Sequence, residues 1–532
     1  MRNKHPKINS DFRLIFLIYI ISSILSLFLL KYFQYPINSD GISYLSIAQH
    51  YANGNFNDAI NGYWGPLLSW ILSPFLIFKL TPVDTLLVGE IISVIIGFFT
   101  LIGVKSLSYK FEMTDGMRTI ILFAMIPVIL FFWLRAISPD LLILCFFVYY
   151  LNIMFSPNYS DTIKNGIFAG ILGAMAFLSK SYALPFFIFH FILFNLLHYW
   201  KYDNKIEKKK VLKNLSLGLM VFFLISGLWV GVISDKYGKI TMGTSGEYNQ
   251  ELMGPGSLGH PVFFKGLIKP PNTNAISAWE DPFYIKMDSW DPLKSKEGLN
   301  NQLKLIWKNA HDTFDIIVSF SYLSLIIILG YVLLLLRSSK KEILKGNELY
   351  PILTIAIYTA GYILIWVEDR YLWLIYVLLF LMGGFLVSRI FKNNFFNKKD
   401  VRYVVIVLFI WSFLVIPATN FAHIIQNDVD TEGVYDLSQD LKMQYNVRGN
   451  IASNDKWQKS LYVSFYLSSK YYGQVKSNSS DGELIKELKS NNINYYLVWG
   501  DSKSNSELLS NYKEITGGKI KDLKVYLIKE DK

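Results

Sequence analysis

The feature that most constrains this chain is a succession of long apolar runs. Each is roughly 18 to 22 residues, the length a helix needs to cross about 30 Å of hydrocarbon. In lipid every backbone polar group must be bonded within the protein, so such runs fold as helices. The first, from about Phe12 to Phe33, is too long for the core of a signal peptide and lacks a small-residue cleavage site; it reads as an anchor that stays. Others fall near 84–104, 118–134, 139–155, 165–179, 182–200, 213–234, 316–336, 349–367, 370–390 and 402–422. Together they make about eleven crossings on the usual length rule. The stretch Tyr63–Phe78 is apolar but short, and is broken by Pro66 and Pro74. It is expected to lie in, or dip into, the outer interface.

Charge placement orders these crossings. Only 17% of the 532 residues are charged, below the quarter usual in soluble domains, and the net charge is +11. The basic residues sit in short loops, as a positive-inside topology requires, which argues against nucleic acid as their partner. Arg2, Lys4, Lys7 and Arg13 face a single acid, Asp11, so the N-terminus is expected in the cytoplasm. If Tyr63–Phe78 does not cross, four basic loops fall inside: Lys105–Arg118, Lys201–Lys210, Arg337–Lys341 and Lys392–Arg402. If it crosses, all four move outside. The non-crossing alternative is therefore preferred, and the loops at about 34–83 and 235–315 then lie outside with the tail.

Two regions are expected, a transmembrane part over 1–425 and an extracytoplasmic domain over 426–532. In the tail, the helical pattern Asp481–Ser490 alternates with strand-like Ile493–Trp499 and Leu523–Ile528, which predicts a small α/β fold. The single cysteine, Cys145, lies in an apolar run, so no intrachain disulfide forms; that suits a prokaryotic outward-facing domain.

Several ionisable side chains fall at one outer level under this topology: Asp40, Arg135, Asp140, Lys180 and Arg370. Charges in a membrane domain usually face its interior and mark function, although at helix ends they can simply anchor a span. Asp40 opens the polar segment Asn38-Ser-Asp-Gly-Ile-Ser-Tyr44. It can take a proton from an attacking hydroxyl, or it or Ser39 can cap a short helix. Ser138, Pro139 and Asp140 form a good helix start by themselves, with Ser138 as cap. Arg135 can snorkel to the interface or bind a phosphate. Lys180 and Glu368-Asp-Arg-Tyr-Leu-Trp373 sit at predicted outer helix ends.

The long external loop holds Gly254-Pro-Gly256, His260-Pro261, Trp279-Glu-Asp-Pro282 and Trp290-Asp-Pro292. Trp beside carboxylates suits sugar binding; Pro- and Gly-set turns with Trp at the interface explain the same residues. His260 has no partner at metal-ligand spacing, so no metal site is expected. No glycine loop that cradles phosphate opens a helix after a strand, so no nucleotide cofactor is expected either.

These residues resemble the GT-C membrane glycosyltransferases, the superfamily of the protein O-mannosyltransferases and the lipid A aminoarabinose transferase. The likeness covers roughly the first 200 residues and the stretch near 370. It lies in a first-loop aspartate (Asp40) followed by Tyr44, Asn53-Gly54 and the aromatic segment Tyr63-Trp-Gly-Pro66. Arg135 with Asp140, Phe177-Leu-Ser-Lys180 and Arg370-Tyr-Leu372 are similar to further family junctions. The resemblance implies an α-helical membrane fold with a small C-terminal α/β domain. It also implies transfer of a sugar from a polyprenyl-phosphate donor, with inversion, to a protein, lipid or glycan hydroxyl outside the membrane. On that basis Asp40 and Asp140 would be catalytic and Arg135, Lys180 and Arg370 would hold the donor phosphate. Tyr44, Tyr63, Trp64 and Glu368 would line the substrate. Two departures stand out: many members carry Glu where this chain has Gly41, and the aminoarabinose transferase carries Lys where it has Gly65. The competing class is a transporter or flippase for a lipid-linked sugar. Such folds often show repeated halves and helices broken at the midplane, neither of which is evident here.

Overall fold

The computed structural model describes residues 10–29, 37–78, 80–339, 343, 348–396, 398–427, 433–476, 480–500 and 509–529. Arg2, Lys4 and Lys7, the expected exit of the first run at Tyr32 and Phe33, and Lys340 and Lys341 lie outside these residues.

The apolar runs form helices. After α1 (Ser10–Leu29) come α2 (Ser39–Ala52), the single turn α3 (Phe56–Ala59) and α4 (Pro66–Leu72), which continues as a 3₁₀ turn to Phe75. The long bundle helices follow: α5 (Pro82–Ser108), α6 (Asp115–Arg135), α7 (Asp140–Met154), α8 (Lys164–Ser179), α9 (Ala183–Lys201) and α10 (Lys205–Tyr237). Helix α11 (Ser245–Leu252) opens the long loop, and α12 (Lys296–Phe320) closes it. The bundle ends with α13 (Ser324–Arg337), α14 (Leu349–Ile363), α15 (Trp373–Ile390) and α16 (Lys399–Asn427). Helix starts follow local chemistry. Thr81 accepts the Asp84 amide at 3.2 Å ahead of α5, with Pro82 in the first position, and Thr114 accepts the Met117 amide at 3.3 Å ahead of α6.

Among the described residues seven helices are long and apolar enough to span a bilayer, or eight if the bent pair α12 and α13 counts as one. Helices α7, α8 and α14 are apolar but shorter. The chain is a multi-pass membrane protein. Helix α15 is almost wholly buried at the centre, whereas α1 and α16 turn apolar side chains outward, as lipid-facing helices do. The α4 segment, Pro66–Phe75, covers only about 15 Å at the helical rise. Leu68, Ser69 and Leu72 pack one face of it against the protein, while Trp70 and Phe75 are exposed.

One expected span is corrected. The run 316–336 is not a single helix: α12 and α13 meet at a bend of 100°. Ser321 is extended there (φ −165°, ψ 140°), and its hydroxyl pairs with Ser412 at 2.8 Å. Asn309, Asp312 and Asp315 belong to the same helix as Ile316–Phe320, which makes α12 amphipathic, and α12 and α13 together are apolar enough for one broken span. The helix start at Ser138 is also shifted, since α7 begins at Asp140, one residue later than expected.

The tail folds as an α/β unit with α17 (Val434–Met443), α18 (Trp457–Tyr466) and α19 (Asp481–Ser490). Its strands β1 (Asn450–Ser453), β2 (Lys470–Gln474), β3 (Tyr495–Trp499), β4 (Lys513–Glu514) and β5 (Leu523–Leu527) order as β2-β1-β3-β5-β4. β1 is parallel to β2 and β3, while β5 is antiparallel to β3 and β4. Strand β2 would be an exposed edge, but the long loop covers it. The Ile268 amide donates to the Tyr472 carbonyl and the Tyr471 amide to the Ile276 carbonyl, both at 2.7 Å.

Candidate active site

The ionisable residues singled out in the sequence meet at one end of the bundle. Antiparallel connection brings them there: α6 ends where α7 begins, α8 ends where α9 begins, and the turn Asp369–Leu372 leads into α15. Helix dipoles favour the arrangement. Asp40 and Asp140 occupy first turns, where partial positive charge gathers, while Arg135 and Lys180 stand at helix C-termini.

Arg370 is the hub. Its Nη2 donates to Asp40 Oδ2 at 2.7 Å and its Nε to Glu368 Oε2 at 2.7 Å, and its Nη1 lies 3.6 Å from Asp140 Oδ2. Lys180 Nζ donates to Asp140 Oδ1 at 2.7 Å and sits 3.3 Å above the Tyr371 ring. Burial pushes the Lys180 ammonium down from its usual range, against the pull of Asp140. Asp140 is buried, and its second oxygen also accepts Ser138 Oγ at 2.9 Å. Glu368 accepts Trp366 Nε1 at 3.0 Å as well. Arg135 stands slightly apart. It is paired with Asp369, whose other oxygen accepts the Arg370 amide at 2.7 Å.

These contacts bear on the expectation that Asp40 or Ser39 caps the helix. The residue flanking α2 is Asn38, no side chain caps the helix, and Asn38 Oδ1 instead accepts the Ile137 amide at 3.1 Å. Asp40 is not a cap. Its carboxylate is held on one oxygen by Arg370 and on the other by Trp279 Nε1, at 3.1 Å.

Aromatic rings wall the cluster. Tyr63 meets Trp64 edge-on at 4.5 Å between ring centroids, Trp64 meets Tyr44 at 5.2 Å, and Trp279 lies 6.1 Å from Tyr63 and 6.2 Å from Trp64. Tyr44 is fully buried behind the others, while Tyr63 and Trp64 are half-buried. Burial pushes the Tyr63 phenol well above its ordinary range, so it stays a neutral hydroxyl. Trp279 also meets His260 at 5.2 Å and Trp457, from α18, at 6.0 Å. The first loop, the long loop and the tail therefore share one aromatic wall beside Asp40.

Sequence reasoning missed the direct bond from Trp279 to Asp40 and the pairing of Arg135 with Asp369. A Trp more than 200 residues from its acceptor leaves no local signal. Asp369 stood beside Arg370 in plain view, and its charge was the available clue. Among the described residues no group of three or more His, Cys, Asp or Glu side chains is disposed to hold a metal.

Both departures from the family pattern have a steric cause. A Cβ on Gly65 would lie 2.2 Å from the Ser179 carbonyl oxygen, so the first-loop backbone packs directly on the residue before Lys180. A Cβ on Gly41 would meet Asn38 Oδ1 at 2.6 Å and Ile137 Cβ at 3.1 Å. No side chain fits either position without displacement. Gly65→Ala is expected to cost about 2 kcal/mol of stability, the usual penalty of overpacking, and to push Lys180 away from Asp140. A thermal-unfolding midpoint equal to wild type would contradict that packing.

No protein-family model matches the chain, and neither does any curated protein sequence. Solved structures do. ArnT from Cupriavidus metallidurans bound to undecaprenyl phosphate aligns with 97% of this chain and 98% of its own, with a TM-score of 0.59 and 9% identity. The apo form of that protein covers 96% and 97% with a TM-score of 0.55 and 10% identity. The oligosaccharyltransferase AglB from Archaeoglobus fulgidus aligns over 87% of this chain and 65% of its own, at 13% identity and a TM-score of 0.48, too loosely to bear on the site. The chain thus has the fold of ArnT over almost its whole length.

Proposed function

From a chain with the GT-C fold, we propose a membrane glycosyltransferase that moves a sugar from a polyprenyl-phosphate donor to an acceptor hydroxyl on the extracytoplasmic face. The observation that carries it is the meeting of Asp40, Asp140, Glu368, Lys180 and Arg370 at one end of the bundle, beside an aromatic wall. Undecaprenyl phosphate bound to ArnT, which shares the fold, supports a lipid carrier of this class here.

In the proposed reaction the acceptor oxygen attacks the anomeric carbon while Asp40 takes its proton. The bond from that carbon to the phosphate oxygen breaks on the opposite side, and the phosphate leaves with the electron pair; a single displacement inverts the centre. Arg370 and Lys180 stabilise the charge that develops on the leaving phosphate. Five groups make up the core of the site, three acids and two cations, so a phosphate is held only by drawing a cation from its present partner. Arg370 moving toward the phosphate would release Asp40 Oδ2 to receive the proton, which couples donor binding to base activation. Asp140 keeps Lys180 and Arg370 in place. Arg135, occupied by Asp369, backs the site. Tyr63, Trp64 and Trp279 supply rings against which a sugar's C–H faces can pack, and Tyr44 supports them.

The transmembrane part over 1–425 and the tail domain over 426–532 divide the labour, the tail and long loop selecting the acceptor. On this reading the N-terminus lies in the cytoplasm and the tail outside. Cys145 is buried, so a single introduced thiol can be read cleanly. Ser490→Cys, exposed on α19, is expected to react with a membrane-impermeant thiol reagent added to intact cells. Labelling only after lysis would put the tail on the other side. Deleting the gene is expected to remove one defined sugar from surface glycans or glycoproteins by mass spectrometry. An unchanged surface would count against transfer.

A further inference from the structure

The segment that carries Trp279 is bound to α2 by a buried polar seam that takes no part in the chemistry described above. Asp40, Ser43, Ser46 and His50 are spaced three or four apart on α2 and so share one side of it. Residues 279 and 280 run along that side. Ser43 Oγ donates to the Trp279 carbonyl at 3.1 Å, and Trp64 Nε1 donates to the same oxygen at 3.2 Å. Ser46 Oγ donates to Glu280 Oε2, and His50 Nε2 bonds Glu280 Oε1 at 2.7 Å. Asn61 Nδ2 donates to the Glu280 carbonyl at 2.6 Å. Glu280 and His50 are only 2% and 3% exposed.

A buried carboxylate–imidazole pair is a poor way simply to glue a loop down. Desolvation offsets much of its attraction, and apolar side chains of similar volume often hold as well or better. What the pair adds is direction, since both carboxylate oxygens are fixed by partners on a single helix. One residue away, the seam ends on the reacting group, where Trp279 Nε1 donates to Asp40 Oδ1 at 3.1 Å. Next in sequence, Asp281 accepts Tyr237 OH at 2.9 Å, so the segment is pinned on both sides of Glu280.

We infer that Glu280, held by His50 and Ser46, is a positioning residue that fixes Trp279 so that its indole N–H orients the Asp40 carboxylate. This rests on the sugar-transferase function proposed above and deepens it, since it assigns to the long loop the task of aiming the base. Glu280 acts only through Trp279, so removing both should do little more than removing the indole N–H alone.

The test is steady-state transfer by the purified full-length protein from a polyprenyl-phosphate sugar, comparing Trp279→Phe, Glu280→Gln and the double variant. Loss of one hydrogen bond to a charged group predicts a fall in kcat of about 10-fold for each single variant, with donor KM little changed. The double variant should fall by no more than about 20-fold, where independent effects would multiply to about 100-fold. His50→Gln, whose amide still reaches Glu280, should lose less than His50→Leu. If Glu280→Gln does not accumulate, Ser46→Ala removes a single bond to the same carboxylate and should show the same non-additivity with Trp279→Phe. A multiplicative double variant, or Glu280→Gln with wild-type kcat, overturns the positioning role while leaving the transferase function standing. A wild-type protein that transfers nothing removes both.

Discussion

Asp40→Asn is expected to lower transfer by about 1,000-fold, the middle of the range that a positioned general base supplies. The substitution preserves shape, and an amide oxygen can still accept the Trp279 N–H. Arg370 keeps Glu368 and Asp140 as partners, so folding should survive. The loss should appear in kcat, with donor KM nearly unchanged, because Asp40 acts on the acceptor proton rather than on the carrier. Ordinary activity in Asp40→Asn would remove the mechanism. A protein that fails to accumulate would show that the contact to Arg370 is needed for folding rather than for chemistry.

Arg370→Gln should combine two effects. It leaves Asp40, Asp140 and Glu368 sharing a half-buried space with only Lys180 to balance them. Removing one partner of a buried ion pair costs about 3 kcal/mol or more, so the thermal-unfolding midpoint should drop clearly in detergent. Transfer should also fall by at least about 100-fold, as when a donor to a developing oxyanion is lost, and here donor KM should rise too. Arg370→Lys should recover part of the stability but little of the activity. A flexible ammonium is a point charge and cannot address Asp40, Glu368 and a phosphate with separate N–H groups as the planar guanidinium does. If Arg370→Gln were as stable and active as wild type, the hub would be only a surface contact. The two variants therefore separate by kinetics: the aspartate change in kcat alone, the arginine change in kcat, KM and stability together.

Much of this was legible in the sequence because membranes impose a strong code. Run length and the placement of Lys and Arg gave the helices and brought Asp40, Arg135, Asp140, Lys180 and Arg370 to one level, where the structure joins four of them directly and links Arg135 through Asp369. What the code could not give is what depends on non-local partners. Asp40 and Ser39 had the composition of a helix cap, and only the distant Arg370 and Trp279 show the carboxylate employed elsewhere. The 316–336 run read as one straight helix because apolar count carries no signal for the break at Ser321, where α12 gives way to α13 at a bend of 100°. Gly41 and Gly65 appeared as missing functional side chains, whereas the Asn38 and Ile137 side chains crowd the first position and the Leu178–Ser179 backbone occupies the space a Cβ would need at the second.

The most direct measurement is release of polyprenyl phosphate from a panel of labelled polyprenyl-phosphate sugars by the purified protein in vesicles, with Asp40→Asn run alongside. The account predicts that wild type cleaves one donor class only when an acceptor hydroxyl is supplied, and that the variant binds the same donor without cleaving it. A wild-type protein that moves the intact donor across the bilayer, leaving its sugar–phosphate bond unbroken, would contradict it.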